Sequence, residues 1–299
     1  MGPVPEVSPN VTDTALLFEG GGMRASYTSG LVVALLEAGI HLDWVGGISA
    51  GASNACNYVS RDAARARRSF TDFAADPHFG DLRTFVRGEG LFNARYIYQQ
   101  AGLPGQALAF DWDTFAASPA QLRIGGFRAA TGEQVHWGRE DYSDIHALMI
   151  RVQASSTMPV LMPPVVIDDE IYVDGALGPA GGIPLDAARA DGYDRFLAVL
   201  TRPRGYRKPP QGGEWFFRRH FRRVPAVTEA LMARADHYNQ TREQLFELER
   251  EGCAYLFVPE QMPVGNGERN VGKLRASHEA GLAQARREIP AIREFLGLS

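Results

Sequence analysis

Three places in this chain of 299 residues bring together residue types that can do chemistry. The first is Val45-Gly46-Gly47-Ile48-Ser49-Ala50-Gly51, which contains the spacing Gly-x-Ser-x-Gly. Val45 and Ile48 suit a buried strand, and the small residues Ala50, Ala52, Ala55 and Cys56 suit a close-packed helix that begins just beyond Ser49. A serine in such a strand–turn–helix corner is held in strained backbone with its hydroxyl exposed to an incoming substrate, the geometry of a nucleophile elbow. Gly47 and Gly51 leave room for neighbouring backbone to approach. On these five residues alone, an ordinary Gly/Ser turn is an equally good reading.

The second place is Gly20-Gly21-Gly22-Met23-Arg24. A glycine run between a strand and a helix leaves several backbone N–H groups converging where the helix dipole is positive, so it attracts an anion. That anion is either a phosphate or the oxyanion that develops when a nucleophile attacks an ester carbonyl. Gly21, Gly22 and the amide of Ala50 are the expected donors, and Arg24 can buttress them. The spacing Gly20-x-Gly22-x-x-Ala25 also fits a dinucleotide fingerprint, which demands an acidic residue at the end of the second strand, about 20 residues on. Ser49 stands there instead, while Glu37 lies in the helix and Asp43 opens the strand, so the nucleotide reading loses. No Gly-Lys-Ser/Thr follows, which removes a P-loop.

A serine hydroxyl also needs a base. A Ser-Asp-His order would draw on His220, His237 or His278. His220 lies among arginines whose field disfavours a charged imidazole, and His237 and His278 fall on helical stretches with polar neighbours, where surface or capping roles are expected. The third place, Asp174, follows Ile171-Tyr172-Val173 and precedes Gly175-Ala176, where a strand ends and the chain turns. A free aspartate, with a pKa of about 3.9, is a poor base that apolar burial improves. By itself an Asp-Gly pair is a turn signal.

The elements that must position these residues follow from periodicity. Residues 14–19 read as a strand, helical spacing runs through Tyr27, Leu31, Ala34 and Leu35 to a cap at Gly39, Leu42–Ile48 is the second strand and residues 50–60 the second helix. This βαβα start predicts a mostly parallel, covered sheet with both glycine corners at the carboxyl ends of strands, the edge where such sheets bind ligands. Residues 61–119 read as helix and loop, 122–137 as two strands around Thr131-Gly132, Ile145–Ser155 as a helix, and 165–173 as a hairpin turning at Asp168-Asp169. Strands are expected at 195–201 and 255–259, and helices at 227–251 and 274–296. The fold class expected is α/β, a mostly parallel central sheet with helices on both faces, plus a mainly helical C-terminal extension. The expected division is a flexible lead at 1–13, a catalytic domain at 14–201, and a basic linker with a mainly helical region packed on that domain at 202–299.

Taken together, the glycine box at Glu19-Gly20-Gly21-Gly22-Met23-Arg24, the elbow at Gly47-Ile48-Ser49-Ala50-Gly51 and the pair Asp174-Gly175 resemble the patatin-like phospholipase family, in that family's order. Ala154-Ser155-Ser156-Thr157-Met158-Pro159, followed by Pro163-Pro164, matches its approach to the aspartate. The resemblance implies a three-layer α/β architecture, a Ser49–Asp174 dyad without histidine, and hydrolysis of lipid acyl esters through an acyl-enzyme. It further implies oxyanion or substrate contacts at Gly20, Gly21, Gly22, Met23, Arg24 and Ala50. Two departures stand out. Glu19 replaces the aspartate frequent in plant members, and Ala25 replaces a glycine, which narrows the expected pocket mouth. The C-terminal third resembles the extension of a bacterial subgroup. A non-catalytic lipid-binding protein on the same fold is the alternative, as is a histidine-assisted hydrolase of α/β-hydrolase type.

Composition bounds the remaining classes. With 45% hydrophobic and 22% charged residues the chain reads as globular, and a net charge of −4 argues against nucleic acid. The start, MGPVPEVSPNVTD, has neither a basic head nor an apolar run, so no secretory signal is expected. Cys56 and Cys253 lack metal spacing and read as buried thiols of a reducing cytoplasm. Asp168-Asp169-Glu170 reads as a solvated hairpin tip; no metal or cofactor is called for. The stretch from Arg202 to Arg223, with Trp215, Phe216, Phe217 and Phe221 interleaved, reads two ways. It is a basic linker covering the core, or a surface for peripheral contact with anionic lipid.

Overall fold

The computed structural model describes residues 8–80 and 92–298. The first seven residues of the lead, and residues 81–91 of the helix-and-loop stretch, lie outside the described residues.

Eight strands form one sheet: β1 (Val11–Phe18), β2 (Leu42–Ile48), β3 (Gln121–Arg128), β4 (Gln134–Trp137), β5 (Val165–Ile167), β6 (Glu170–Asp174), β7 (Arg195–Val199) and β8 (Ala254–Phe257). Its order is β5-β6-β3-β2-β1-β7-β8, with β4 pairing β3. The strands β3, β2, β1, β7 and β8 run parallel, while β4 and β6 pair antiparallel with β3, and β5 pairs antiparallel with β6 at the edge. The five longest helices among the described residues are α1 (Ala25–Glu37), α2 (Ala50–Val59), α3 (Ile145–Ser155), α4 (Pro225–Arg250) and α5 (Val271–Phe295).

The alternation of the central strands sets the layers. On β1, Leu16 and Phe18 enter one core with residues of α1, α2, α3 and α5, while Ala15 and Leu17 enter a second core with residues of α4. On β7, Leu197 and Val199 join the first and Phe196 and Ala198 the second. Each face of the sheet is therefore sealed by helices, as a parallel sheet requires. The α/β class and the three layers read from the sequence are present.

Two boundaries differ from the sequence reading. β1 begins at Val11, three residues early, because the Asn10 side chain clamps the turn after α1: its Nδ2–H donates to Gly39 O and its Oδ1 accepts from His41 N–H, both within 2.8 Å. The C-terminal region does more than cover the domain, since β8 is an edge strand of the sheet itself, pairing Phe196–Val199 of β7. Its helix α5 crosses α1 where Gly30 meets Gly281: a Cβ on Gly30 would lie 2.3 Å from Leu282 N, and one on Gly281 would lie 2.0 Å from Tyr27 O. Cys56 is buried and Cys253 half-buried.

Candidate active site

β3 acts as the ruler that brings the two chemical residues together. A strand has two edges. Ile124 and Gly125 of β3 pair with β2 on one and β4 on the other, whereas Gly126 and Phe127 pair with β4 and β6. β2 and β6 therefore share one edge of β3, end to end: Ile48 opposite Gly125, then Asp174 opposite Gly126. Ser49 follows Ile48 directly, so its side chain emerges beside Asp174. The Ser49 Oγ–H donates to Asp174 Oδ2 at 3.0 Å.

Ser49 has φ 57 and ψ −129, a backbone region costly for any residue with a side chain, of the kind concentrated at functional sites. Close approach explains the flanking glycines. A Cβ at Gly51 would stand 2.2 Å from Phe18 O, and one at Gly47 2.4 Å from Gly51 O. Ser155 of α3 locks the corner, accepting from Ser49 N–H at 2.8 Å and donating to Gly125 O. Asp174 is held from its other side: its Oδ1 accepts from Ala176 N–H at 2.9 Å, and its own N–H donates to Thr157 O at 2.8 Å.

Asp174 is 5% exposed. Burial raises its pKa above the ordinary carboxylate value, against the pull of Arg234, the Ala176 amide, Ser49 and Lys208. A carboxylate so placed holds a proton more readily than a solvated aspartate, which suits it to accept one from Ser49.

The glycine box supplies amides to the same corner, though not all that the sequence suggested. Gly20 N–H donates to Gly182 O at 3.0 Å and Met23 N–H to Asn266 O at 2.9 Å, so neither amide is available to a ligand. The amides of Gly21, Gly22 and Ala50 make no hydrogen bond among the described residues. Met23 contributes its side chain instead. With Gly22, Ser49 and Ala50 it lines a mostly apolar cavity whose walls include Phe70, Phe73 and Met162. Ala25 is fully buried and is not among the lining residues, so the departure at that position does not narrow the mouth.

Arg24 faces away from the cavity. It is 5% exposed, and its Nε–H donates to Thr201 Oγ1 at 3.3 Å. Behind it Glu19 accepts from Thr201 N–H at 2.7 Å, from Thr201 Oγ1–H at 2.9 Å and from the Tyr238 hydroxyl at 2.9 Å. This network ties the glycine loop to β7 and α4. Sequence reasoning did not reach Ser155 as the lock, nor Thr201, Tyr238 or Asn266, because no local motif marks them.

The three late histidines stand elsewhere. His220 is exposed and stacks on Phe216, His237 is half-buried on α4, and none of the three hydrogen-bonds Ser49 or Asp174 among the described residues. His278 corrects the expectation of a surface or capping role: it is 1% exposed, and its Nδ1 lies 2.8 Å from Ser29 Oγ on α1.

Comparison with known proteins follows the same division of the chain. A family model described as patatin-like phospholipase matches residues 16–189, and one described as a domain of unknown function (DUF6363) matches residues 224–297. A curated relative from Escherichia coli (strain K12), "Uncharacterized protein YjjU", is 25% identical over 215 residues, covering 68% of this chain and 55% of that protein. The chain thus spans about half the length of this curated relative. Among solved structures, the crystal structure of VipD from Legionella pneumophila superimposes with a TM-score of 0.45 at 13% identity, over 93% of this chain and 67% of that one.

Proposed function

Because the chain belongs to the patatin-like phospholipase family, we propose that it is a serine lipid acyl hydrolase working through Ser49 and Asp174. The observation that carries this reading is the 3.0 Å hydrogen bond from Ser49 Oγ to Asp174 Oδ2.

Ser49 Oγ attacks the ester carbonyl of a lipid whose acyl chain occupies the apolar cavity, and Asp174 Oδ2 takes the hydroxyl proton. The carbonyl oxygen becomes an oxyanion facing the free amides of Gly21, Gly22 and Ala50. Collapse breaks the bond to the alcohol, which leaves with the proton from Asp174 and gives an acyl-enzyme on Ser49. Water then attacks the acyl carbon, surrendering a proton to Asp174, and a second collapse returns that proton to Ser49 Oγ and releases the fatty acid. Treatment with a fluorophosphonate probe, followed by peptide mass spectrometry, tests the assignment. Modification of Ser49 is expected, and a protein that stays unlabelled while folded favours a non-catalytic binding role instead.

The lipid substrate calls for an interface, and one side of the molecule supports peripheral contact. The exposed large hydrophobic residues among those described are Leu161, Val166, Ile171, Trp215 and Phe216. An apolar groove links Leu161 and Ile171 to His220 and Phe221, and Trp215, Phe216, Arg219 and Arg222 line the adjoining hollow. Met162 borders both the groove and the Ser49 cavity, so a chain leaving a bilayer here has a short path to the nucleophile. The stretch from Arg202 to Arg223 is therefore divided. Arg204, Arg207 and Arg218 are paired with Glu249, Glu243 and Glu214, while the exposed Trp215 and Phe216, with Arg219 and Arg222 beside them, form the face suited to anionic lipid. No helix among the described residues is long and apolar enough to cross a membrane.

A further inference from the structure

The cavity that opens on Ser49 also holds a charge. Ser49 caps α2, and Ser53 and Cys56 stand on the same helix face one and two turns further on, so the lining follows this face away from the nucleophile for about 10 Å. At the end of that path it takes in Arg65 and Ser69 of the short helix Ala63–Ser69, with Leu108 beside them. Asn57, the residue after Cys56, is the α2 side chain that Arg65 reaches.

Arg65 is 7% exposed, and its side chain has neutral acceptors only. Its Nε–H donates to Leu108 O at 3.2 Å and its Nη1–H to Asn57 Oδ1, and the guanidinium lies 5.0 Å from the centre of the Phe110 ring. Asp62, one turn earlier, accepts from the Arg65 backbone N–H at 2.7 Å rather than from the side chain. Among the described residues Nη2 makes no hydrogen bond, and no carboxylate forms an ion pair with Arg65. Burial lowers the guanidinium pKa to about 10, so the side chain is charged at neutral pH. A plain hydrocarbon filling the cavity would strip water from this cation and return no acceptor, a cost that a ligand carboxylate reverses. Hydrogen bonds from a guanidinium to a carboxylate are of the strong, charge-assisted kind.

We infer that Arg65 determines specificity on the acyl side of the ester, its Nη2 holding a carboxylate at the far end of an acyl chain whose ester carbonyl faces Ser49. The inference rests on the reading of Ser49 as nucleophile. It names the substrate class as esters of chains that end in a carboxylate, the half-esters of dicarboxylic acids, over esters of plain fatty acids.

The subsite can be read without turnover. Ser49→Ala protein is titrated calorimetrically with monomethyl suberate and with methyl octanoate, which differ in the terminal carboxylate. The carboxylate ester is expected to bind at least about tenfold more tightly, the size of one charge-assisted hydrogen bond. Arg65→Gln in the same background removes that preference, and Arg65→Lys keeps most of it. Asn57→Asp gives the guanidinium a carboxylate of the protein's own and cancels the preference as well, which decides the matter if Arg65→Gln does not fold. Equal affinity of the Ser49→Ala protein for the two esters overturns the inference, as does a preference that survives Arg65→Gln or Asn57→Asp. In the active protein, Arg65→Gln lowers the ratio of kcat/KM for the mono-p-nitrophenyl ester of suberic acid over p-nitrophenyl octanoate about tenfold. An equal loss on both substrates means that Arg65 only braces α2 against the Leu108 carbonyl, and overturns the inference. If the unmutated protein hydrolyses neither ester, the proposed function fails while the titration still decides the subsite.

Discussion

Ser49 and Asp174 are 125 residues apart in the chain, yet their side chains meet at 3.0 Å because Ser49 follows Ile48, which pairs Gly125 of β3, and Asp174 pairs the next residue, Gly126. Backbone pairing, rather than a flexible side-chain reach, sets the distance. Reactivity and stability at this corner should therefore respond separately to changes in side chain and in backbone.

Replacing the hydroxyl tests reactivity first. Ser49→Ala is expected to lower turnover of a p-nitrophenyl ester at least about a thousandfold, to the background rate. Ser49→Gly removes the hydroxyl too but is at home at φ 57, so its free energy of unfolding in urea should exceed that of Ser49→Ala by about 1–2 kcal/mol. Equal stability of the two would mean that the corner is not strained.

On the proposed mechanism, Asp174 sets the pH dependence. Its carboxylate must be ionised to accept the proton, and burial raises its pKa, so kcat/KM should fall as the medium is acidified through a pKa above the usual aspartate range. Asp174→Asn should abolish turnover and keep the fold, since its Oδ1 can still accept from Ala176 N–H. The folded state binds this proton more tightly than the unfolded state does. The contribution to stability is therefore complete below the unfolded pKa and is lost as pH rises through the folded one. Melting curves should show Asp174→Asn gaining on the native protein as pH rises from the ordinary aspartate value of about 4, and a constant difference would contradict the raised pKa.

Gly51→Ala tests the close approach at the elbow. Its Cβ would lie 2.2 Å from Phe18 O, a contact with backbone that cannot swing aside. A loss of at least about 3 kcal/mol in chemical denaturation is expected, as for other overpacked positions.

His278→Ala separates a structural histidine from a catalytic one. It breaks the contact with Ser29 between α5 and α1, so stability should drop by about 1–3 kcal/mol while kcat per folded molecule is unchanged. A large fall in kcat with intact stability would revive a histidine-assisted mechanism.

Trp215 is 76% exposed and Phe216 47%, so changing both to serine should leave the melting temperature unaltered. Sedimentation with anionic vesicles should fall at least about fivefold, and raised salt should weaken what remains. Unchanged sedimentation removes the membrane role of this face.

Much of this site was legible in the linear sequence because its parts are local. The elbow needs glycines two before and two after the serine, since Phe18 O and Gly51 O occupy the space of a side chain. The glycine box and the Asp-Gly turn are likewise short-range demands of backbone geometry. Strands such as β2 and helices such as α3 were readable to the residue, since their apolar spacing has the period of the element. β1 was read short because Asn10, Thr12 and Asp13 are polar, and the His41 carbonyl that accepts from the Asn10 and Val11 amides lies beyond any local window.

What the sequence determined by itself was the list of candidate reacting groups and the corners that hold them, because steric rules act over a few residues. Which groups meet was decided only by the tertiary structure. The β3 register puts Asp174 beside Ser49, the carbonyls of Gly182 and Asn266 take two of the amides in the glycine box, and α4 brings the Tyr238 hydroxyl to Glu19 behind that box. Those outcomes come from pairing, packing and charge between segments far apart in the chain, and no short stretch carries them.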